Sequence, residues 1–348
     1  MRIVIATDAW RPQINGVVHS LVQMSAAAER QGVDIQFLTP EGFRTIPMPT
    51  YPEVRLALAG WGVVARRIEA MQPDHVHIAT EGPIGLAARQ YCQSGGRSFT
   101  TSYHTRFPEY IAARFPIPAR WTYAALRRFH APAAAVMAPT PSIRDELLAR
   151  GFERVKVWSR GVEHSAFRPR EESVLDLPRP IFLYVGRVAV EKNLDAFLRL
   201  SLPGSTVIVG DGPARAALQR QYPLAHFLGA RSGEALAQTY ASGDVFVFPS
   251  RTDTFGIVLI EALASGLPVA AYPVAGPLDV VGQSGAGVLS EDLGAACLAA
   301  LKIPRALARE HSLRFTWAES ARQFLDNIEQ SRPPQSAPIK ELALSDCR

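Results

Sequence analysis

Two carboxylates eight positions apart give the strongest chemical signal in the sequence. Asp253 lies in a polar loop, and Glu261 lies about one turn inside the apolar helical pattern that begins near Ile257. Gly256 opens that helix, where free backbone amides and the positive end of the helix dipole favour a diphosphate. These positions allow both carboxylates to reach one ligand over the helix start. Because a carboxylate in an apolar helix is costly unless it is paired or binds something, Glu261 is predicted to bind that ligand. The alternative is that Glu261 caps a neighbouring element or pairs with an arginine.

Two cations supply the complementary charge. Arg187 and Lys192 follow an apolar run and Gly186, in a loop that leads from a strand to a helix. A guanidinium can bind two phosphate oxygens at once, whereas the lysine ammonium acts as a point charge. Loop cations are usually only solvated, so the pair gains weight from the segment 248–268, whose helix start also favours phosphate. Together the two segments predict an anion-binding site.

Two further candidates lie in the first half of the chain. A turn at 12–16 places Gly16 ahead of a helical pattern, where the backbone can approach a ligand closely. His104 follows the apolar run 98–102, with Arg106 and Glu109 near it in sequence. A lone histidine is more often structural, but one at the end of a strand is well placed to bind hydroxyls or a developing charge.

Several other kinds of site are not supported. The segment 209–213 lacks the third glycine of a dinucleotide-binding fingerprint and is predicted to be a tight turn, and no G-x-x-x-x-G-K-[ST] phosphate loop occurs. Cys92, Cys297 and Cys347 lack the spacing of metal ligands, and their odd number does not suit a disulfide scaffold. No Asp-x-Asp pair is placed to hold a metal. The sequence therefore predicts no bound metal and a reducing, cytoplasmic environment.

Strands and helices that alternate along the chain must position these residues. Short apolar runs rich in β-branched residues predict parallel strands that are buried on both faces and joined by right-handed helical crossovers. The predicted strands are 3–6, 35–38, 75–78, 98–102, 135–138 and 155–158, then 181–185, 206–209, 225–227, 245–248 and 269–271. The predicted helices are 18–31, 142–150, 194–200, 214–221, 233–242, 257–265 and 314–328.

A proline-rich and charged segment, 167–180, interrupts this alternation and indicates a linker. We therefore predict an α/β fold with two Rossmann-like, doubly wound domains at 1–168 and 169–310. A helix within 311–330 and a flexible tail at 331–348 complete the chain. Sheets of this kind bind ligands at the carboxyl ends of their strands.

The net charge of +5 is unevenly distributed along the chain. Residues 1–170 carry 21 Lys/Arg and 13 Asp/Glu, a net of +8, and residues 171–348 carry 16 and 19, a net of −3. The basic, aromatic stretch 107–130 is typical of a helix at an anionic membrane surface. The alternatives are an ordinary helix with its aromatic side chains in the core, and an arginine content set by genome composition. The predicted membrane or acceptor face comprises Trp61, Arg66, Arg67, Arg114, Trp121, Arg127 and Arg128.

No apolar run approaches the roughly 18 residues that a membrane-spanning helix needs. The amino-terminal strand meets Asp8 too early for the core of a secretory signal. We therefore expect a cytoplasmic protein that is peripheral on the inner face of the cytoplasmic membrane.

With these motifs in place, the chain resembles glycosyltransferase family 4, retaining transferases of the GT-B fold, from Arg2 to about Glu329. That family carries a Glu-x7-Glu motif before a Gly-Leu-Pro-Val-type strand, and Asp253-x7-Glu261 stands in its place here, with the shorter Asp as a departure. The resemblance implies two Rossmann-like, doubly wound domains that face a cleft. The Tyr-His-Thr-x-Phe-Pro-Glu-Tyr and Ser-Arg-Thr-Asp-Thr-Phe-Gly runs are similar to the branch with sulfolipid synthases, bacterial diacylglycerol glycosyltransferases and GDP-mannose-dependent α-mannosyltransferases.

The resemblance also implies a role for each candidate residue. Glu261 would bind the nucleotide ribose, Asp253 would touch the transferred sugar, and His104 would lie near the reaction centre. Arg187 and Lys192 would bind the donor diphosphate. With His104 and Asp253, they are the candidate catalytic residues. Backbone groups of Gly16, Thr254, Phe255 and Gly256 would complete the donor site, and the helix 314–328 would cross back onto the first domain.

We therefore expect retaining transfer of a hexosyl residue from a UDP-sugar or GDP-mannose to a membrane lipid such as diacylglycerol. The nucleotide sugar is the donor substrate, and no cofactor or metal is expected. The alternatives are a polysaccharide or soluble acceptor, a nucleotide-sugar epimerase of the same fold, and a non-catalytic nucleotide-sugar-binding protein. The Glu-x7-Glu-like motif argues against the epimerase. Scattered basic residues without stacking aromatics on strands argue against nucleic acid as a partner.

Overall fold

Two parallel six-stranded sheets form the framework of the structure, a computed structural model that describes residues 1–11, 15–48, 51–112 and 118–332. The first sheet has the spatial order β2-β1-β5-β6-β7-β8. Its strands are β1 (Arg2–Ala6), β2 (Asp34–Leu38), β5 (His75–Ile78), β6 (Phe99–Ser102), β7 (Ala135–Ala138) and β8 (Val155–Val157). An antiparallel hairpin of β3 (Thr45–Met48) and β4 (Tyr51–Ala57) lies between β2 and β5 in sequence.

Alternating side chains bury both faces of the first sheet, as the apolar runs predict. Val4 and Ala6 pack on one face, and Ile3 and Ile5 pack on the other. One face is covered by α2 (Trp61–Met71), α3 (Pro83–Ser94) and α5 (Ala119–His130), and the other by α1 (Gly16–Glu29) and α14 (Trp317–Glu329). The short α4 (Phe107–Ala112) precedes α5, and α6 (Pro141–Ala149) joins β7 to β8. We call this sheet with its helices the first lobe.

The second sheet has the order β11-β10-β9-β12-β13-β14. All of its strands are parallel, and their sequence order reverses between β9 and β12. Its strands are β9 (Ile181–Val185), β10 (Ser205–Val209), β11 (His226–Gly229), β12 (Val245–Phe248), β13 (Val269–Ala271) and β14 (Gly287–Leu289). The accompanying helices are α7 (Leu194–Leu198), α8 (Arg215–Gln221), α9 (Gly233–Ser242), α10 (Ile257–Ala264), α11 (Ala275–Val280), α12 (Leu293–Ala300) and α13 (Arg305–Ser312), with a 3₁₀ turn at Val190–Lys192. We call this sheet with its helices the second lobe.

Two passages of chain join the lobes, and they lie side by side. The first follows β8, and the second leads from α13 to α14, which packs against α1 of the first lobe. The Val162 amide donates to the Phe315 carbonyl at 3.2 Å, linking the passages. Gly161 sits directly on the second passage, since a Cβ there would lie 2.3 Å from the Trp317 amide nitrogen.

The predicted fold of two doubly wound α/β units is confirmed. The elements that were not predicted from the sequence include the hairpin β3–β4 and the helices α2 and α3 in the first lobe, and β14, α11, α12 and α13 in the second. The final helix begins at Trp317, three residues later than predicted, because the Thr316 hydroxyl caps it by accepting from the Glu319 amide at 3.1 Å. Most of the predicted tail, 333–348, lies outside the described residues. Of the helices described, none is both long and apolar enough to cross a membrane.

Candidate functional site

Two predicted segments meet where the second sheet reverses its strand order. β9 and β12 are neighbours, and the chain continues outward from them in opposite directions. The region outside their carboxyl ends is the usual ligand site in such sheets. Arg187 and Lys192 lie in the segment after β9, and Asp253 lies in the loop after β12. The Asn193 side-chain amide donates to the Pro249 carbonyl at 3.1 Å and ties the two segments together.

Lys192 and Asp253 form an ion pair between these two segments. Lys192 Nζ lies 2.5 Å from Asp253 Oδ1, and each side chain is less than one-fifth exposed. Asp253 Oδ2 is buried and has no hydrogen-bond partner among the described residues. An unpartnered buried oxygen of this kind is costly, so Oδ2 is suited to accept a hydrogen bond from a ligand hydroxyl.

Gly256 allows the loop after β12 to turn into α10. Its φ of +80° lies in the left-handed region that favours glycine, and an added Cβ would lie 3.0 Å from Leu259 Cδ1 and 3.1 Å from Phe248 Cζ. The Phe255 ring points into the core, where its centroid lies 6.2 Å from that of Phe315. The loop therefore turns its aromatic side chain away from solvent at the positive end of α10.

Glu261 is buried in α10, within the apolar sequence IVLIEALA, and is 8% exposed. Tyr240 Oη, on α9, donates a hydrogen bond to Glu261 Oε2 at 2.8 Å. Burial raises the pKa of the Glu261 carboxyl to about 7, and the Tyr240 hydrogen bond only partly opposes this shift. The alternative roles of capping another element or pairing with an arginine are not what the structure shows, because the partner is a tyrosine hydroxyl.

His104 brings the first lobe to the same place. It follows β6, and its carbonyl accepts a hydrogen bond from Thr254 Oγ1 at 2.7 Å. Arg160 Nη2 lies 3.0 Å from His104 Nδ1, whereas His104 Nε2 is buried without a partner in the described part of the chain. Burial first, and then the charges of Arg160 and His77, hold the pKa of His104 well below its ordinary value. The ring is therefore neutral at physiological pH.

Gly16 also faces the second lobe. It is the first residue of α1, and the Asn15 side chain caps that helix by accepting from the amides of Val17 and Val18, both at 3.0 Å. A Cβ on Gly16 would lie 3.6 Å from Ile257 Cδ1, the first residue of α10. The amino ends of α1 and α10 therefore lie close together, and their dipoles both favour an anion.

A second polar contact joins the lobes beside this site. The Asp279 carboxylate on α11 accepts from the amide and the hydroxyl of Ser142, both at 3.0 Å, at the amino end of α6. An acidic group is favoured at that end of a helix.

Arg106 and Glu109 are held by protein groups of the first lobe. Arg106 pairs with Glu146, and Tyr123 Oη donates to Glu109 Oε1 at 2.6 Å. Arg150 lies over the Tyr123 ring at 3.9 Å and also pairs with Glu146. These contacts give both residues a part in the packing of α4, α5 and α6.

The predicted membrane face is divided by the structure. Trp61 and Trp121 are 46% and 63% exposed, and Arg66 and Arg128 are exposed as well. Arg127 is exposed too, and it also donates to the Arg150 carbonyl. Arg67 is partly buried, donates to the carbonyls of residues 41 and 42, and stacks on Phe43. Tyr123 and Phe129 are buried in the core, and Arg114 lies outside the described residues.

Sequence reasoning missed three residues of this region. Tyr240, the partner of Glu261, sits in an ordinary helical pattern, and Arg160 is 56 positions from the histidine it contacts. Asp279 contacts a residue 137 positions away. A Thr-Pro-Ser run at 140–142 signals a helix start, but no feature of one sequence names the carboxylate that approaches it.

Comparison with known proteins identifies the family of the chain. Residues 14–166 match Glycosyltransferase Family 4, and residues 179–303 match Glycosyl transferases group 1. A GDP-mannose-dependent alpha-mannosyltransferase from Mycobacterium tuberculosis is 33% identical over 315 residues, which cover 83% of each chain. The sulfoquinovosyl transferase SQD2 of Arabidopsis thaliana is 32% identical, over 71% of this chain and 52% of its own.

An alpha-monoglucosyldiacylglycerol synthase from Streptococcus pneumoniae is 27% identical, over 78% of this chain and 71% of its own. Among solved structures, a sucrose-phosphate synthase from Thermosynechococcus elongatus superimposes with a TM-score of 0.77 and 21% identity, over 94% of this chain and 98% of that one. This likeness supports the GT-B fold. The chain is thus a glycosyltransferase that uses a nucleotide sugar, and it belongs to glycosyltransferase family 4.

Proposed function

We propose that this enzyme transfers a hexosyl residue, with retention of anomeric configuration, from a nucleotide diphosphate sugar to a membrane lipid such as diacylglycerol. One observation carries the proposal. The Lys192–Asp253 pair, the buried Glu261 and the unpartnered Nε2 of His104 are assembled around the start of α10. Such an arrangement can bind an anion, a diol and a sugar hydroxyl together.

Each part of the donor has a matching group. The ionised Glu261 carboxylate would accept hydrogen bonds from the ribose hydroxyls. Arg187, Lys192 and the amino ends of α1 and α10 would offset the charge of the diphosphate. Asp253 Oδ2 and His104 Nε2, both buried without described partners, would meet hydroxyls of the transferred sugar. Because these groups already offset the leaving charge, we propose that no metal is needed.

Retention is proposed to arise from attack on the face that the leaving diphosphate occupies. The bond from the anomeric carbon to the phosphate oxygen breaks, the acceptor oxygen bonds to that carbon, and the acceptor proton passes to the phosphate. We do not propose Asp253 as a covalent nucleophile, because one of its carboxylate oxygens pairs with Lys192 and the other is assigned above to a sugar hydroxyl. Closure of the two lobes would exclude water that otherwise hydrolyses the donor.

GDP-mannose is the donor we propose first. The proposal is supported by the similarity to the GDP-mannose-dependent mannosyltransferase over most of both chains. UDP-glucose and other UDP-sugars are the alternatives. Asp253 stands where the family usually has a longer Glu, and because this residue is proposed to touch the transferred sugar, the sugar can differ from the one that the relatives transfer.

The lipid acceptor is proposed from the surface of the first lobe. The helices α2, α3 and α5 cover one face of the sheet. Val64 of α2, Ile84 of α3 and Phe129 of α5 pack in one core cluster with side chains of that face. Their outer side exposes large apolar side chains beside arginines, a combination that favours an anionic membrane surface. We call this set the arginine–tryptophan surface: Trp61, Val63, Arg66, Leu86, Arg120, Trp121 and Arg128.

A donor screen tests the proposed reaction. Purified protein is incubated with GDP-mannose, UDP-glucose, UDP-galactose and UDP-glucuronate, with and without diacylglycerol in phosphatidylglycerol vesicles, and released nucleotide is measured. We expect lipid-dependent release from GDP-mannose and a new glycolipid with the donor's anomeric configuration. Nucleotide release that does not depend on lipid would indicate that the acceptor is a soluble sugar and not a membrane lipid. No release from any donor would contradict the proposal.

Membrane binding is tested separately by sedimentation with phosphatidylglycerol vesicles. Replacing Arg120 and Arg128 by Gln should weaken binding roughly fivefold per arginine, because each basic residue near such a surface contributes about 1 kcal/mol. The matched control is Arg220→Gln, an exposed arginine on α8 of the second lobe, which should leave binding unchanged. Equal effects of the two changes would refute the assignment of this surface.

A further inference from the structure

Arg160 is a buried cation whose contacts, in the part of the chain that the structure describes, are backbone carbonyls and aromatic rings. It is 4% exposed, and its Nη1 donates to the carbonyls of Trp158 and Ser159 at 2.5 and 3.1 Å. Its guanidinium carbon lies 4.2 Å from the centre of the Trp158 ring, within the range of a cation–π contact. Among the described residues, no carboxylate pairs with it. Burying a guanidinium without an acid is expensive, which calls for an explanation beyond packing.

The remaining contact of Arg160 supplies one. Its Nη2 lies 3.0 Å from His104 Nδ1. A guanidinium carries only N–H donors and loses none of them at ordinary pH, so the imidazole nitrogen that faces it must accept. A neutral imidazole with an unprotonated Nδ1 carries its proton on Nε2.

We propose that Arg160 is a positioning residue that fixes His104 in the Nε2–H tautomer, so that the ring presents a hydrogen-bond donor to the substrate. The proposal that this donor meets the transferred sugar rests on the proposed function. His104 then cannot take a proton from the acceptor hydroxyl, because its lone pair on Nδ1 is occupied by Arg160. The histidine orients and stabilises oxygen atoms of the sugar, and it is not a general base.

The surroundings hold this geometry in place. Trp158 is fully buried, and its indole Nε1 donates to the carbonyl and the hydroxyl of Ser320, both at 3.1 Å. The Ser320 hydroxyl donates to the Ser159 carbonyl at 2.8 Å. Because Ser320 lies on α14, that helix supports the two carbonyls and the ring against which Arg160 rests.

The tautomer can be observed in the ligand-free, full-length protein by ¹⁵N–¹H correlation spectra of its histidines. His104→Gln identifies the signals of His104. We expect a protonated Nε2 and an unprotonated Nδ1 in the wild type, with a second protonation only well below the ordinary histidine pKa of 6.5. The charged or titratable groups that affect the pKa of His104 are Arg160 and His77. The Trp158 ring also lies edge-on to the His104 ring. Protonation at Nδ1 in the wild type would overturn the proposal before any variant of Arg160 is made.

Two variants separate tautomer control from packing. Arg160→Met removes the donor but keeps an apolar chain of similar length, so both tautomers should appear and protonation should move toward pH 6.5. Arg160→Lys keeps a group that only donates, so the wild-type tautomer should persist. An unchanged tautomer in Arg160→Met would refute the proposal. If Arg160→Met does not fold, Arg160→Lys decides it, because a switch to Nδ1–H beside an ammonium would refute it equally.

Turnover of the nucleotide sugar identified by the donor screen gives the functional arm. Arg160→Met and His104→Gln should each lower kcat on the order of tenfold, and the double variant should be no slower than His104→Gln alone. Additive losses would show that Arg160 acts independently of His104 and would refute its positioning role. The spectra need no substrate, so a failed donor screen would contradict the proposed function and leave the tautomer result standing.

Discussion

Replacing Glu261 by Gln should weaken donor binding and at the same time stabilise the fold. Burial raises the pKa of Glu261 to about 7, against an ordinary value of 4.5. Between these values the folded protein binds more protons than the unfolded chain, so the free energy of unfolding falls as pH rises from 4.5 to 7. The cost is absent below pH 4.5 and complete above pH 7. A difference of about 2.5 pH units corresponds to roughly 3 kcal/mol at pH 8.

The amide of the Glu261→Gln variant would carry no charge but could still accept from the Tyr240 hydroxyl, so the change should recover part of that 3 kcal/mol. Urea unfolding at pH 8 and pH 5 measures it, and the gain should be larger at pH 8. Binding should move the other way. Loss of a charge-assisted hydrogen bond costs about 1.5–3 kcal/mol, or roughly ten- to a hundredfold in the Kd of the donor.

The pH dependence of binding provides the control. Calorimetry with intact GDP-mannose or UDP-glucose avoids the titration of a terminal phosphate. The wild-type affinity should increase as pH rises through about 7, and Tyr240→Phe should shift that midpoint upward, because the lost hydrogen bond favours the ionised carboxyl. A pH-independent affinity in the wild type, or a Glu261→Gln variant that binds as well and is no more stable, would refute the reasoning.

Three other outcomes are expected. Lys192→Met should lower kcat more than donor affinity, because the lost charge stabilises the leaving diphosphate most as its bond breaks; equal losses would indicate simple binding. The His75 ring is buried, and desolvation followed by the charge of Arg332 lowers its pKa to about 4. Stability from His75 is therefore complete above pH 6.5 and is lost as pH falls toward 4, up to roughly 3 kcal/mol. Urea unfolding should show a weaker loss between pH 7 and pH 5 in His75→Gln, and an identical loss would disprove this. Turnover should be unchanged by EDTA, whereas inactivation that Mg²⁺ reverses would disprove the metal-free mechanism.

Local patterns in the sequence predicted the fold well. Buried parallel strands are near-continuous apolar runs, so β1, β6, β9 and β12 and the loops that follow them could be recognised without a structure. The strand β5 was predicted with the bounds that the structure has, although its sequence His-Val-His-Ile places two histidines in the core. His77 is accommodated by hydrogen bonds to the hydroxyls of Thr100 and Ser102, both at 2.8 Å, on the neighbouring strand.

The partners of the site residues were not predictable in the same way. Asp253 and Glu261 share one strand–loop–helix unit, so their spacing carries the signal. The Tyr240 hydroxyl reaches Glu261 from a separate helix, and Arg160 reaches His104 from the far edge of the first sheet. Such contacts depend on how helices and strands pack against one another. A single sequence does not show which residues of two distant elements will lie side by side. For the same reason the sequence could not show that Arg67 and Arg127 bind backbone carbonyls of their own lobe.

The paired passages between the lobes have a mechanical consequence. Because closure of the lobes is part of the proposed function, we expect the chain to bend at these two connections, which the Val162–Phe315 hydrogen bond joins. Gly161 lies in the first connection, with no space for a methyl group against Thr316 and Trp317 of the second. A side chain at position 161 would therefore force the two connections apart. We expect such a substitution to change the angle between the lobes while leaving every group that faces the donor chemically unchanged.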